Sequence, residues 1–556
     1  MLIQDRIVQL MHQAIAEAQR QDLLPPTPLP EIVIEHPQNT ENGDYATSLP
    51  LKLARSARMN PMIIAESLLL LIPTEEWASQ IWVAPPGFIN FQLDPQWVSR
   101  QVDEIIERGS TYSKVNLGNG QKVQVEYVSV NPTGPVHVGH ARGAVLGSVL
   151  ARVLSEAGYK VTREYYINNS GSQMQVFYKS LYVRYIQYLG KHAEMPLNGY
   201  MGDYMIRLAE NIWTEMGDRF LSLPQEAGIK EIGEIGLSRM IQQIEEDLKA
   251  LGVEFDVWFS EDTLYREGQY QKVMETLDAH GHVTQREGAT WFVSSALGED
   301  KDNVLVRSTG APTYFASDVA YHYNKFLERK FDRVINIWGA DHQGHVSRMK
   351  AVLGALGIPS DRLTILISQL VTLKRGDAVV RASKRTGDLI TLRELVSEVT
   401  SDACRFFFLT RSPESQMEFD LELAQRQTSD NPVYYVQYAH ARIASILRIA
   451  REHGVEFQNG DLSLLTHPAE QILIKKLIIL PELVDFIARS LEPHHLSHYS
   501  MELANAFHWF YRECRVISEK ASDQGVMAAR LKLVSAAKIV LASSLELMGM
   551  SAPDKM

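Results

Sequence analysis

"VSVNPTGPVHVGHARGA", Val128 to Ala144, places two histidines, His137 and His140, on either side of Val138 and Gly139. It follows an alternating, strand-like run, "VQVEYVSV" from Val123. It precedes "ARGAVLGSVLARVLSEAG", where Val145, Leu146, Val149, Leu150, Val153 and Leu154 recur at helical spacing before a stop at Gly158. A second strand-like run, "KVTREYYI", comes almost at once. The order strand, loop, helix, strand is the unit from which parallel sheets are built. The histidines therefore fall at the carboxyl end of a strand and the start of a helix, the ligand crevice of such sheets. Gly139 lets a flat ring or a phosphate approach the backbone, and unpaired N–H groups at a helix start favour anionic oxygens. On this pattern alone three readings stand: a nucleotide site, a metal pair, or structural histidines. The metal reading lacks a third ligand nearby.

Outward from this unit the chain divides into parts. Residues 1–110 read as a small α/β unit, with an amphipathic helix in "MLIQDRIVQLMHQAIAEAQRQ", a strand in "EIVIEHP" and a helix in "ATSLPLKLARSARM". It closes on "IWVAPPGFINFQL", two apolar runs punctuated by Pro85, Pro86 and Gly87. The polar stretch "STYSKVNLGNGQK" reads as a linker. A parallel-sheet unit is expected over residues 120–400. A mostly helical stretch, about 173–251, interrupts it before sheet-like runs return at "ATWFVSS", "NVLVRS", "RVINIWGA" and "LTILISQ". That stretch reads as an insertion between two halves of one sheet. Residues 401–556 read as nearly all helical, with apolar stripes such as "YYVQYAHARIASILRIA".

Composition narrows the function classes. With 556 residues, 45% of them hydrophobic and 22% charged, the chain has the make-up of a globular protein of several domains. Its two cysteines, Cys404 and Cys514, provide neither a disulfide framework nor a cysteine-rich zinc site, and point to a reducing cytoplasm. No secretion signal is expected at the N-terminus, and no run reaches the roughly 20 apolar residues that a membrane span requires. A formal charge of -12 argues against indiscriminate coating of nucleic acid, while leaving room for a local basic surface.

A second element is "RASKRTG", Arg381 to Gly387, a basic loop bounded by Gly376 and Gly387. Lys384 and Arg385 can meet the charge of a triphosphate as it breaks; a solvated turn is the alternative. Ordered with "GDYATSLPLKLA", "PPGFINF", "NPTGPVHVGHARGA", "YYINNSGSQM", "YFASDVAYH", "WGADHQGHVSRM", "DNPVYYVQYAHARI" and the terminal "SAPDKM", the two elements resemble the class I aminoacyl-tRNA synthetases. The resemblance covers nearly the whole chain and is closest to their arginyl-tRNA synthetase family. One departure is Arg381-Ala382, where the family's loop begins Lys-Met.

The resemblance implies a Rossmann-type parallel-sheet catalytic domain with a helical insertion. To it the family adds a small α/β N-terminal domain that meets the tRNA elbow and an all-helical C-terminal anticodon-binding domain. The implied reaction activates arginine with ATP, Mg2+ being expected, and passes it to the 2′-hydroxyl of the terminal adenosine of tRNA(Arg). An anionic carboxylate is already a nucleophile, so alignment and charge neutralisation suffice for the first step. By resemblance, Pro135, His137, Gly139, His140, Ser383 and Lys384 hold ATP, with His137, His140, Lys384 and Arg385 acting in catalysis. Ser129, Asn131, Glu261, Tyr314, Asp318, Asp341 and His342 line the arginine site, with His345 beside them.

A guanidinium presents a planar fork of donors that pairs well with carboxylates, and Asp318, one helical turn after Tyr314, can face the same cavity. Such polar readout rejects analogues without a separate editing site. Tyr435, Tyr438, Tyr511, Arg515 and Met556 are the expected tRNA contacts. A cytoplasmic monomer with no zinc or other resident metal and no membrane contact is expected. Two rivals remain. A class I synthetase for an apolar amino acid would not need Glu261 and Asp318, and one for cysteine would want zinc ligands. A non-catalytic tRNA-binding relative should lack His137, His140 or Lys384.

Overall fold

In the computed structural model, residues 2–380 and 390–556 are described; Ser383, Lys384 and Arg385 lie outside the described residues. Four strands, β1 (Ile34–Glu35), β2 (Tyr45–Thr47), β3 (Ala78–Ala84) and β4 (Phe88–Leu93), form an N-terminal antiparallel sheet in the order β1-β2-β4-β3. The amphipathic helix Ile3–Arg20 buries Ile7, Met11, Ala14 and Ala18 in the same core.

Next come β5 (Lys122–Glu126), β6 (Lys160–Ile167), β7 (Val257–Ser260), β8 (Val283–Arg286), β9 (Ala289–Phe292), β10 (Asn303–Val306), β11 (Arg333–Gly339) and β12 (Leu363–Ser368). Five of them form a parallel sheet in the order β12-β11-β5-β6-β7. The chain turns one way from β5 through β6 to β7 and the other way from β11 to β12, so a topological switch point lies between β5 and β11. The histidine segment leaves β5, and the Asp341–His342 segment leaves β11. The helix Val138–Glu156 is buried along most of its length, with Gly147 facing the Tyr127 ring.

The interruption is helical, with Ser172–Tyr188, Asp203–Met216 and Gln225–Ala250 packed on a core of their own. One sequence expectation needs correcting. The strands in "ATWFVSS" and "NVLVRS" do not return to the parallel sheet; β9 and β10 pair antiparallel with each other, and β9 with β8. The β8–β9 connection is Glu287-Gly288, both at positive φ. A tight two-residue turn of that kind folds a strand back on its predecessor rather than sending it across to a distant sheet.

Strands β13 (Val371–Arg375), β14 (Ala378–Val379) and β15 (Met417–Asp420) form a small sheet in the order β14-β13-β15. C-terminal to it the chain is helical, including Pro432–Glu452, Pro468–Ile478, Leu480–Ser490, His495–Glu513 and Gln524–Leu547. The N-terminal sheet docks on these helices: the Tyr45 hydroxyl donates to Glu482 at 3.0 Å and Lys475 pairs with Asp44 at 2.6 Å.

Candidate active site

At the β5 exit the backbone takes unusual turns. Val128 and Ser129 have φ of 70° and 42°, a conformation that is costly for a β-branched residue and is typically held only where surrounding contacts fix it. Those contacts are present. The Ser129 hydroxyl donates to Glu126 at 3.0 Å and accepts from the Tyr166 N–H at 3.1 Å. The Tyr165 hydroxyl donates to the Val130 carbonyl at 2.8 Å. Asn131, exposed, donates to Gln173 Oε1 at 2.7 Å. Strain, clamp and crevice thus coincide at residues 128–131.

His137 caps the following helix, its Nδ1 accepting from the Gly139 N–H at 3.2 Å. The His137 and His140 rings lie 3.9 Å apart between centroids. A Cβ at position 139 would stand 2.9 Å from the His137 ring, so the glycine is required by that ring as well as by any ligand. Burial lowers the His137 pKa. Burial and then the neighbouring His137 push His140 down to about 3, against a small opposing pull from Asp341. Both rings are therefore neutral near pH 7, and His140 Nδ1 is buried without a partner among the described residues.

The helix start differs from expectation. Its first three N–H groups are not free: Val138 donates to the Ile390 carbonyl at 3.0 Å, Gly139 to His137 Nδ1, and His140 to the His137 carbonyl at 3.0 Å. The pairing was not readable locally because Ile390 is far away in sequence. Leu392 N–H also donates to the Val136 carbonyl at 2.8 Å, so the segment just after the basic loop is stitched to the histidine segment. Pro135 and Gly139 lie along that stitched stretch, and the Thr133 carbonyl accepts from the Tyr204 hydroxyl at 2.6 Å.

On the other side of the switch point, Asp341 and His342 sit on a short turn of helix, Ala340–His345, with the His342 and His345 rings 5.6 Å apart. Burial, then Arg348, lowers the His345 pKa. The carboxylates expected for arginine come from two further elements. Glu261, directly after β7, is only 2% exposed, which rules out an exposed acidic loop residue. Burial raises its pKa against hydrogen bonds from Ser317 and Ser170, and its Oε2 has no partner among the described residues. Asp318 lies in the helix Tyr314–Tyr323. Burial first, then the charges of Glu126 and Glu261, push its carboxyl up to about 7.

Among the described residues, neither Glu261 nor Asp318 has a basic side chain within ion-pair distance. Two carboxylates without a cation form a site that favours one. Tyr314, on the same helix as Asp318, is half exposed, its hydroxyl 4.0 Å from where a Cβ on Gly171 would stand.

Sequence reasoning missed several groups here. The Tyr166 hydroxyl is buried and has no hydrogen-bond partner among the described residues, with Glu261 and Asp318 acting on it. Ser317 and Tyr265 are joined at 2.6 Å beside Glu261. A charged residue inside the apolar run "VQVEYV" was the one available signal, for Glu126.

The tRNA candidates fall on the C-terminal helices. Tyr435 and Tyr438 of Pro432–Glu452 approach His508, at 4.8 and 6.2 Å between ring centroids. The Arg442 guanidinium stacks over Tyr438 and Tyr511, at 4.7 and 5.2 Å. Tyr511 and Arg515 line one cavity of about 470 Å³. Met556 is exposed at the end of a segment that His440 and Lys538 hold through Pro553 and Asp554. Arg442 and His508, which organise the cluster, carried no sequence signal.

Comparison with known proteins agrees with this architecture. Residues 5–93 match the arginyl tRNA synthetase N terminal domain, 101–442 the catalytic domain of tRNA synthetases class I (R), and 436–556 the DALR anticodon binding domain. An arginine–tRNA ligase of Dehalococcoides mccartyi is 54% identical, covering 100% of this chain and 99% of that protein. One from Caldanaerobacter subterraneus subsp. tengcongensis is 46% identical over 99% and 98%. The solved Thermus thermophilus arginyl-tRNA synthetase shares the fold, with a TM-score of 0.77 at 23% identity over 98% of this chain and 99% of that one. Through its catalytic domain and its full-length relatives, the chain belongs to the arginyl-tRNA synthetase family of class I.

Proposed function

We infer that the chain is an arginine–tRNA ligase: it activates L-arginine with ATP and transfers it to the 2′-hydroxyl of the terminal adenosine of tRNA(Arg), releasing pyrophosphate and AMP. The observation that carries the reading is the pair of carboxylates, Glu261 and Asp318, which among the described residues have no basic side chain within ion-pair distance. Arginine supplies the missing cation. In this reading Glu261, Asp318 and Tyr314 face its guanidinium, and Ser129, Asn131, Asp341 and His342 face its amino and carboxylate ends.

The neutral, partly buried histidines donate to the phosphate oxygens of the adenine nucleotide, which is seated against Pro135 and Gly139. Ser383, Lys384 and Arg385 bring cationic charge to the triphosphate. The carboxylate attacks the α-phosphorus without a base, and the protein contributes alignment and charge compensation. Mg2+ is expected on the triphosphate oxygens. Tyr435, Tyr438, Tyr511, Arg515 and Met556 are assigned to tRNA, whose exposed bases stack on aromatic rings. A cytoplasmic monomer completes the reading.

ATP–pyrophosphate exchange with each amino acid in turn, with and without tRNA, tests it. Exchange is expected with arginine alone and only when tRNA(Arg) is present. Exchange with any other amino acid overturns the assignment.

A further inference from the structure

Three carboxylates converge on the proposed arginine pocket, and among the described residues only one of them is ion-paired to a basic side chain. Glu126, at the end of β5, is ion-paired to Lys325. Lys325 is 0% exposed and lies in a π-helical turn, Asn324–Glu328, that continues the helix carrying Asp318, a distortion that tends to mark functional positions. Its ammonium also donates to Asn336 Oδ1 at 2.9 Å and sits 4.1 Å from the centre of the Tyr321 ring. Asn336 in turn donates to His322 Nε2, and His322 Nδ1 donates to the Asp318 carbonyl at 2.8 Å. A buried chain of bonds therefore runs from Lys325 to the backbone of Asp318. On its other side, Glu126 holds the Ser129 hydroxyl in its left-handed turn. A neighbouring carboxylate, Glu164, is separately answered by a bidentate Arg329.

We propose that Lys325 is a positioning residue for arginine recognition: by engaging Glu126 it reserves Glu261 and Asp318 for the substrate guanidinium and keeps Ser129 fixed at the amino-acid end. The proposal rests on the arginine-ligase reading. Without Lys325, three uncompensated carboxylates face one another, and like charges in one site cannot all ionise. The guanidinium then meets carboxyls that share protons in place of two carboxylates, and Glu126, freed from Lys325, no longer holds the Ser129 hydroxyl in one place. Without Glu126, Lys325 becomes an unpaired cation facing another. Removing both leaves a neutral pocket floor with Glu261 and Asp318 still in place and an amide oxygen at position 126 to accept from Ser129.

The test is steady-state aminoacylation by the full-length protein, comparing wild type with Lys325→Met, Glu126→Gln and Lys325→Met/Glu126→Gln. Each single change is expected to raise the KM for arginine about tenfold or more, the scale of a lost hydrogen bond to a charged group, with the KM for ATP within about twofold. The double change restores most of the arginine KM. A purely structural role predicts instead that both KM values move together, or that the double variant is no better than the singles; either result overturns the proposal. Should Lys325→Met fail to fold, Glu126→Gln against the double variant decides by the same criterion. A wild type that charges no tRNA with arginine would refute the underlying reading, a result distinct from any failure of rescue.

Discussion

Asp318 carries its proton close to neutrality because it is enclosed and faces Glu126 and Glu261. A guanidinium binds its carboxylate form, so arginine must displace that proton below about pH 7 and need not above it. The sign follows: a raised carboxyl pKa weakens arginine binding as pH falls and leaves it level as pH rises. The KM for arginine, measured from pH 6 to 8, is expected to climb below about pH 7, approaching tenfold per unit. His140, pushed down to about 3 by burial, stays neutral through that window, so this limb cannot be its protonation. A KM independent of pH would show that Asp318 does not face the substrate cation.

The helix Val138–Glu156 shows why an element can be legible while its contacts are not. Its apolar spacing and its place between β5 and β6 followed from the sequence, as did the parallel unit, because both rest on local periodicity. Gly147 reads simply as one more small residue, yet its missing side chain is filled by the Tyr127 ring, whose Cγ would lie 2.2 Å from an added Cβ. Tyr127 is fully buried and cannot swing out. Gly147→Ala should therefore cost about 1–3 kcal/mol by overpacking, despite alanine's better helix propensity, and shorten the half-life of activity at a fixed elevated temperature. An unchanged or longer half-life would mean the helix can shift away at no cost.

The same distinction explains the site. The histidines stand in a local motif and Glu261 and Asp318 are reached by resemblance to the family, whereas Glu126 with Lys325 and Glu164 with Arg329 join residues 199 and 165 positions apart. No local pattern encodes such pairs. The strands in "ATWFVSS" and "NVLVRS" belong to a different sheet from the one expected for the converse reason, since a strand's period says nothing about its partner.

At the scale of the whole molecule, two arginines bind parts of the chain together through carbonyl and hydroxyl acceptors, with no carboxylate hydrogen-bonded to either among the described residues. Arg142, in the first turns of the histidine helix, donates to the carbonyls of Gln369, Arg411, Ser412 and Ser415. Arg405 donates to the carbonyls of Leu251, Gly252 and Met548 and to the Ser148 hydroxyl. It thus ties the end of the insertion, the histidine helix and the end of the last C-terminal helix at one point. Burial pulls its pKa down to about 10, which still leaves it charged at neutral pH.

A guanidinium suits this junction because its planar fork reaches several acceptors at once, which a lysine's single ammonium cannot do. Arg405→Met would fill much of the volume but strand those acceptors, at about 1–3 kcal/mol for each one left buried and unsatisfied. The expected result is a markedly lower thermal midpoint, with Arg405→Lys falling between the variant and wild type. Since large chains of this kind often unfold irreversibly, the comparison belongs at one fixed scan rate. A midpoint for Arg405→Met within about 1 °C of wild type would mean that water takes over the stranded carbonyls and that the three parts are held together by their apolar contacts.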